Sequence, residues 1–525
     1  MHSTGISILV VASAITNLSA QTANLNRDRD PVVIIGSSIT SLISLPVDEI
    51  VAFRYQGSWQ QIPVQIDERK FVEYRVVYNT TLLPAGLGTT AYIDPNTYTG
   101  LDDNPAFDAD DELVIMAKDA GDQAAAQAPL PTGTIMDSGV EITIVDPLDG
   151  GRGYLYLFQT DGALSPDAGQ DYITYTFNLL AGDYIPDYKI MTGPNPEDSV
   201  AISTHYRTHF SDRWIRDELN IYAGGATGMD ILDRHKNMFA PGNCVRTENT
   251  FSAGEGAFFT NKDGPVRAIR SYMGANSGPL TQREHIFYEQ RQEITTFLRV
   301  HAISGVMDVY DYSSNAIGMT YYNDLNLAGV PVDGLPDTVV GGPIVWEMVS
   351  GAQGTAIISH SRYTDIDPFT YTSYYSDDES PSVTQCTGDI HEYATSGLWI
   401  DHSIPNTDPQ QIPFNILNVR RTVYYEPPNQ NVGTAQLRHS QAQTPLEISP
   451  LLYPPAPADF DRDGDVDMDD FDLFKTCGSG PSIPLSPGCE DKDFDDDNDV
   501  DQSDFGIFQV CISGQNNAAD PHCAD

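Results

Sequence analysis

Basic residues are scarce in this chain. Of its 525 residues, 28 are Lys or Arg and 74 are Asp or Glu, a formal net charge of −46. Binding nucleic acid requires clustered Lys and Arg facing phosphate. The charge balance therefore excludes a nucleic-acid partner and argues against docking on anionic membranes. Long hydrophobic runs are also missing, so no membrane span is expected. P-loop and dinucleotide-type glycine patterns, HExxH and GxSxG are all absent, which removes the common nucleotide, zincin and hydrolase signatures. Divalent cations remain as natural partners for so acidic a chain.

What is present is a globular, turn-rich composition. Gly (42), Pro (35), Tyr (27) and Phe (20) are plentiful, while charged residues make up only 19%. The length fits two to four domains. The start, "MHSTGISILVVASAITNLSAQTA", has a mostly apolar stretch from Ile6 to Leu18 that is too short to cross a bilayer. Small residues follow at Ser19 and Ala20. This reads as a signal peptide over residues 1–20, although its first residues carry no Lys or Arg; a buried first strand is the alternative. Export predicts a secreted protein, extracellular or at the cell surface. The six cysteines, Cys244, Cys386, Cys477, Cys489, Cys511 and Cys523, then read as disulfide-forming.

The tail repeats itself at a spacing of 34 residues: "DFDRDGDVDMDDFDLFKTCGSG" falls on "DFDDDNDVDQSDFGIFQVCISG". Phe460, Val466, Phe471, Phe474 and Cys477 meet Phe494, Val500, Phe505, Phe508 and Cys511 in register. A solvated acidic run would not keep its apolar residues in step, so this is a duplicated structural unit. Oxygen ligands at loop positions 1, 3, 5, 7, 9 and 12 can wrap a hard cation. Those positions are Asp459, Asp461, Asp463, Asp465, Asp467 and Asp470, then Asp493, Asp495, Asp497, Asp499, Asp501 and Asp504. Position 7 would ligate through its backbone carbonyl. Position 6 needs a left-handed backbone, which suits Gly464 and Asn498. Val466 and Val500 are expected to pair the two loops and face inward. Phenylalanines three apart share one face of a short helix, and the two faces are expected to pack on each other. So small a core needs staples. The duplication predicts Cys477–Cys489 and Cys511–Cys523, each closing its own unit. Two Ca²⁺ ions are expected to relieve the repulsion among the aspartates, and without them the tail is expected to unfold.

The loops and their short exit helices resemble a type I dockerin, over residues 458–525. The resemblance implies calcium at Asp459, Asp461, Asp463, Asp465, Asp470, Asp493, Asp495, Asp497, Asp499 and Asp504, a cohesin-like partner and a part in polysaccharide breakdown. Met468-Asp469 and Gln502-Ser503 depart from the Ser-Thr type contacts frequent at positions 10 and 11, and the cysteine pairs are unusual. A cohesin partner does not follow from the residues themselves; a cell-surface protein or polysaccharide fits as well.

The body reads as mainly β, sandwich-like. Segments such as "EIVAFRYQGSWQQIPVQIDE", "DELVIMAKD", "GVEITIVD", "GYLYLFQT" and "GTAIISHSRY" are short, rich in aromatic or β-branched residues, and punctuated by turn formers. "DRWIRDELNIY" reads as a helix. Two β-rich domains are expected, 21–190 and 191–448, followed by a Pro-rich linker at 449–457 that holds the tail away from the body.

Candidate chemistry in the body gathers at "REHIFYEQRQEITTFLRVH": Arg283, His285, Tyr288, Arg291, Arg299 and His301. Arg can neutralise a sugar-acid carboxylate while His or Tyr moves a proton, as in a polysaccharide lyase. An exposed hairpin with cross-strand ion pairs is the plainer reading. His205, Arg207 and His209 alternate on one strand face, as ligands or as a solvated edge. Asp102, Asp108, Asp110 and Asp111 make a further acidic cluster without loop register. Cys244 and Cys386 read as a long-range disulfide. The functional expectation is a secreted, calcium-binding modular protein of polysaccharide breakdown or binding, as hydrolase, lyase or binder. The alternative is a non-catalytic adhesion or cell-envelope protein.

Overall fold

The computed structural model of the chain describes residues 21–524, except 126–127, 182–194, 242–243, 255, 276–277, 300–302, 382–384 and 405–415. Residues 1–20, expected to be a signal peptide, lie outside the described residues. The body is built of antiparallel sheets, as its alternating segments require. A small sandwich comes first. One sheet runs in the order Glu447–Tyr453, Gly139–Val145, Arg152–Gln159, Ile50–Tyr55, Trp59–Ile62; the other in the order Pro31–Ile35, Glu112–Met116, Gln65–Asp67. Their facing residues, among them Val32, Leu113, Ile115, Ile142 and Leu155, are buried in one core.

The larger unit centres on a nine-stranded antiparallel sheet. Its order is Ala257–Lys262, Ala268–Ala275, Gly278–Phe287, Arg291–Arg299, Ile416–Glu426, Gly354–Thr364, Trp346–Gly351, Thr320–Asn323, Asn326–Pro331. Two four-stranded sheets cover its inner face: Thr174–Thr176, Ser199–Ile202, Tyr206–Asp212, Ile215–Ile221; and Leu232–Phe239, Val306–Tyr312, Glu392–Ile400, Thr372–Asp378. Its outer face packs on the small sandwich through Ile269, Ile286 and Tyr288 against Val114, Met116 and Tyr92. Arg267 spans that junction, 2.7 Å from both Asp67 and Glu112.

Three expectations need correction. The boundary at 190 falls outside the described residues, but Thr174–Thr176 before it pairs with Ser199–Ile202 after it, so both flanks belong to one sheet. "DRWIRDELNIY" contains the strand Ile215–Ile221, because Trp214 and Arg216 turn inward while the strand pairs with Tyr206–Asp212. The linker expected at 449–457 is in part a strand: Glu447–Tyr453 pairs with Gly139–Val145 at the edge of the small sandwich. The helix Val432–Gln443, capped by Asn431, crosses the back of the large sheet and returns the chain to that edge.

The tail packs on this edge of the small sandwich, with Gly464 beside Leu451 of the strand. Arg462 donates from Nη1 to the Ala124 carbonyl at 3.1 Å and lies 3.8 Å from Glu141. Its two helices are Met468–Cys477 and Gln502–Cys511. Disulfides join Cys477 to Cys489, Cys511 to Cys523 and Cys244 to Cys386, as the sequence predicts. Among the described residues, no helix is long and apolar enough to cross a membrane.

Candidate metal centre and the buried arginine cluster

The two tail loops come together by exchange. The segment after each helix clamps the loop of the other repeat. Ser513 and Gly514 donate to the Val466 carbonyl, and Ser479 and Gly480 to that of Val500. Ala519 donates to the Gly464 carbonyl, as Leu485 does to that of Asn498; the two donors, like the two acceptors, are equivalent positions of the 34-residue repeat. Val466 and Val500 do point inward, but they pair with these exit segments and not with each other. Each exit segment, closed by its own disulfide, occupies the backbone of the opposite loop that the other valine would otherwise pair with. The phenylalanines interlock, with Phe471–Phe505 at 5.5 Å and Phe474–Phe508 at 5.2 Å. Neither repeat buries its core without the other.

Within each loop the carboxylates converge. Oxygens of Asp459, Asp461 and Asp470 lie within 4.8 Å of one another, as do those of Asp493, Asp495 and Asp504. Asp465, Asp467 and Asp470 form a second such group, matched by Asp499, Asp501 and Asp504. Position 6 is left-handed in both repeats, φ +97° at Gly464 and +70° at Asn498. Glycine has a second reason in the first repeat: a Cβ at Gly464 would come within 2.8 Å of Leu451 in the body. Position 4 is left-handed as well, at Arg462 and Asp496, which the sequence does not announce. Asp467 and Asp501 cap the helices, each in a reciprocal box with the aspartate three residues on. Asp470 accepts backbone N–H groups from Phe460, Asp461 and Asp467.

Two observations bear on whether a hard cation suits this centre. The Oδ1 atoms of Asp465 and Asp499 are buried and have no hydrogen-bond partner. Burial, then the neighbouring Asp470, pushes the Asp459 carboxyl up to about 7; the same causes take Asp461 to about 6. The donor set is carboxylate oxygen, which suits Ca²⁺ or Mg²⁺ and not a thiophilic metal. The residues present fit calcium.

In the body, the expected catalytic segment is neither an exposed hairpin nor one constellation. It forms two central strands of the large sheet, covered on both faces. Arg283 and His285 point inward, each at most 2% exposed. Tyr288 packs on the outer face against the small sandwich, with its hydroxyl pushed up to about 12 by burial. The alternation of a strand separates them. Arg299 closes the strand Arg291–Arg299, and His301 lies outside the described residues. Arg291 pairs with Asp30 and Glu293 on the outer side.

The inward side chains join partners the sequence does not point to. Asp308 accepts from Arg283 Nη2 (2.9 Å), Arg421 Nη1 (2.6 Å) and His235 Nε2 (2.6 Å). Burial opposes its charge, but Arg421 and Arg283 outweigh that and hold the carboxyl well below its usual range. Burial takes His235 down to about 3, so the imidazole is neutral. His285 is held well below its usual value by burial and then by Arg283 and Arg270; it contacts the Tyr272 hydroxyl at 3.2 Å and Gln292 at 3.0 Å.

The remaining candidates take plainer roles. His209 sits between Asp217 (2.7 Å) and Asp198 (3.1 Å), and Arg207 pairs with Glu218, which makes a solvated strand face. Asp111 is fully buried and accepts from the Arg69 and Asp108 backbone, which fixes a turn; with Asp102, Asp108 and Asp110 it makes no compact ligand group among the described residues. Asp233, Asp311 and Asp389 do converge, but the Lys236 ammonium already lies 2.5 Å from Asp311.

No protein-family model matches the chain, and no curated protein sequence does. Among solved structures, the crystal structure of a putative aldose 1-epimerase from Escherichia coli K12 is similar over 48% of this chain and 99% of that one, at 9% identity and a TM-score of 0.25. A likeness this slight carries no argument about either fold detail or activity.

Proposed function

We propose that the chain is a secreted modular protein in which a dockerin-like tail binds two Ca²⁺ ions and serves attachment, while the β body binds polysaccharide. The observation that carries the calcium reading is the convergence, in both repeats, of oxygens of Asp459, Asp461 and Asp470 and of Asp493, Asp495 and Asp504 to within 4.8 Å of one another. Asp459, Asp461, Asp463 and Asp470, with Asp493, Asp495, Asp497 and Asp504, would hold the ions, helped by position 7 of each loop. Bound calcium supplies charge neutralisation. The chain's own residues supply the rest: the crossed exit segments, the Phe stack and two disulfides order the loops. Disulfides on all six cysteines fit an oxidising compartment.

For the body, burial of Arg283 and His285, and the placement of Tyr288 on the opposite face, favour binding over turnover by these residues. Attachment to a cohesin-like or cell-surface partner is the role the tail would play. Limited proteolysis of the full chain tests the calcium reading. With calcium the tail should resist cleavage after residue 458; with EDTA it should be trimmed away. Equal resistance in both conditions would refute it. A glycan array, paired with assays for reducing ends and unsaturated uronides, separates binding from turnover.

A further inference from the structure

One cleft in the body runs against the charge of the whole chain. It lies between the inner face of the nine-stranded sheet and the sheet that carries Leu232–Phe239 and Val306–Tyr312. Its cavity measures about 50 Å³, room for a carboxylate-sized group. Three guanidiniums line it, Arg283, Arg362 and Arg421, and Asp308 is its one carboxylate among the described residues. His235 beside Asp308 is neutral and adds no charge. A local excess of two positive charges thus sits in a chain whose net charge is −46.

The donors are not used up. Arg421 turns Nη1 and Nη2 to the Asp308 side chain and carbonyl, at 2.6 and 3.0 Å. Its Nε is buried with no hydrogen-bond partner. A buried polar group left unpaired costs about 1–3 kcal/mol, more when it is charged, so such groups are normally satisfied. Arg362 is exposed at the rim, where Nη1 donates to the Tyr371 hydroxyl at 2.8 Å and the guanidinium lies 4.2 Å from that ring's centroid. Phe369 and Tyr371, both half-buried, lie beside it with ring centroids 6.4 Å apart. Deeper in, Trp214 lies 4.8 Å from the Arg283 guanidinium.

We infer that this cleft binds the carboxylate of a uronic-acid residue in an oligosaccharide, resting on the polysaccharide reading above. A guanidinium fork matches a planar two-oxygen anion. Arg421 Nε and Arg362 would meet the carboxylate, with Tyr371 holding Arg362 in place, and the apolar face of the sugar ring would lie against Phe369 at the mouth. Pockets of this kind combine an apolar wall with a few fixed polar groups. Asp308 acts as a positioning residue, holding Arg283 and Arg421 in place.

The test is calorimetry on the full chain in calcium-containing buffer. Oligogalacturonate and oligoguluronate–mannuronate are the probes, compared with cello-oligosaccharide and inorganic sulfate. Arg362→Ala is the variant, chosen because its exposed side chain leaves the core intact; circular dichroism checks its fold. The uronate oligomers should bind, the neutral oligomer should bind at least tenfold more weakly, and R362A should weaken uronate binding about tenfold. If sulfate binds as well as uronate, or if R362A leaves uronate affinity unchanged, the inference falls. A neutral glycan bound equally well in wild type and R362A would overturn the cleft and spare the polysaccharide reading. No glycan bound at all would overturn both, with the calcium reading untouched.

Discussion

Replacing Asp308 by Asn probes the most heavily invested carboxylate in the body. Asp308 is the counter-charge of two guanidiniums, Arg283 and Arg421, that are 2% and 1% exposed. Asparagine keeps one acceptor oxygen and the shape but removes the charge. Breaking a buried ion pair from one side costs about 3–5 kcal/mol, because the remaining charge stays desolvated. The loss of stability should fall in that range. Urea unfolding at pH 7, followed by far-UV circular dichroism, measures it. The double variant Asp308→Asn, Arg421→Met should lose less than the sum of the two single changes, with a coupling of about 1–3 kcal/mol. A single-variant cost under about 1 kcal/mol, or strict additivity, would show that the two arginines do not depend on Asp308 and would refute the reasoning.

Further outcomes follow from the same geometry. Phe508→Ala removes a fully buried ring that contacts Phe460, Phe471, Phe474 and Phe505, so calorimetry should show the tail destabilised by about 3–5 kcal/mol while the body transition stays in place. Replacing Cys477 and Cys489 together by Ser opens a loop with a sequence separation of 12 and should cost the tail about 3 kcal/mol, read as a lower urea midpoint for the tail alone. Burial lowers His235 from 6.5 to about 3, so the unfolded state binds the extra proton between those values. The associated stability is full above pH 6.5 and is lost as pH falls toward 3. From pH 6.5 to 4.5 the wild type should therefore lose about 2–3 kcal/mol more than His235→Gln in urea titrations. Arg462→Ala, which frees the tail from the Ala124 carbonyl, should speed cleavage between 453 and 459 with little change in global stability.

Parts of this architecture are legible in the amino-acid sequence. The tail is the clearest case, since its Asp, Phe, Val and Cys recur in step and each residue type has one physical use at its position. Strands such as Arg152–Gln159 and Gly354–Thr364 announce themselves by β-branched and aromatic content. The helix Val432–Gln443 does not, because the residues it buries are Ala435, Arg438 and Gln441, a polar stripe without hydrophobic period. Ile215–Ile221 misleads in the opposite direction: its charged residues mimic a helix surface, while its Arg216 is held inside by the hydroxyls of Thr208, Tyr310 and Tyr425. Asp308, Arg421 and His235 join Arg283 only through sheet pairing across long separations, which local spacing cannot reveal. The return of Glu447–Tyr453 to the first sandwich is hidden for the same reason, and its prolines read as a tether.

The account turns on calcium in the tail. Isothermal titration of the chelator-treated full chain with CaCl₂ addresses it most directly. The account predicts uptake of two ions per chain, reduced to one by Asp459→Ala or by Asp493→Ala. No uptake at millimolar calcium would contradict it.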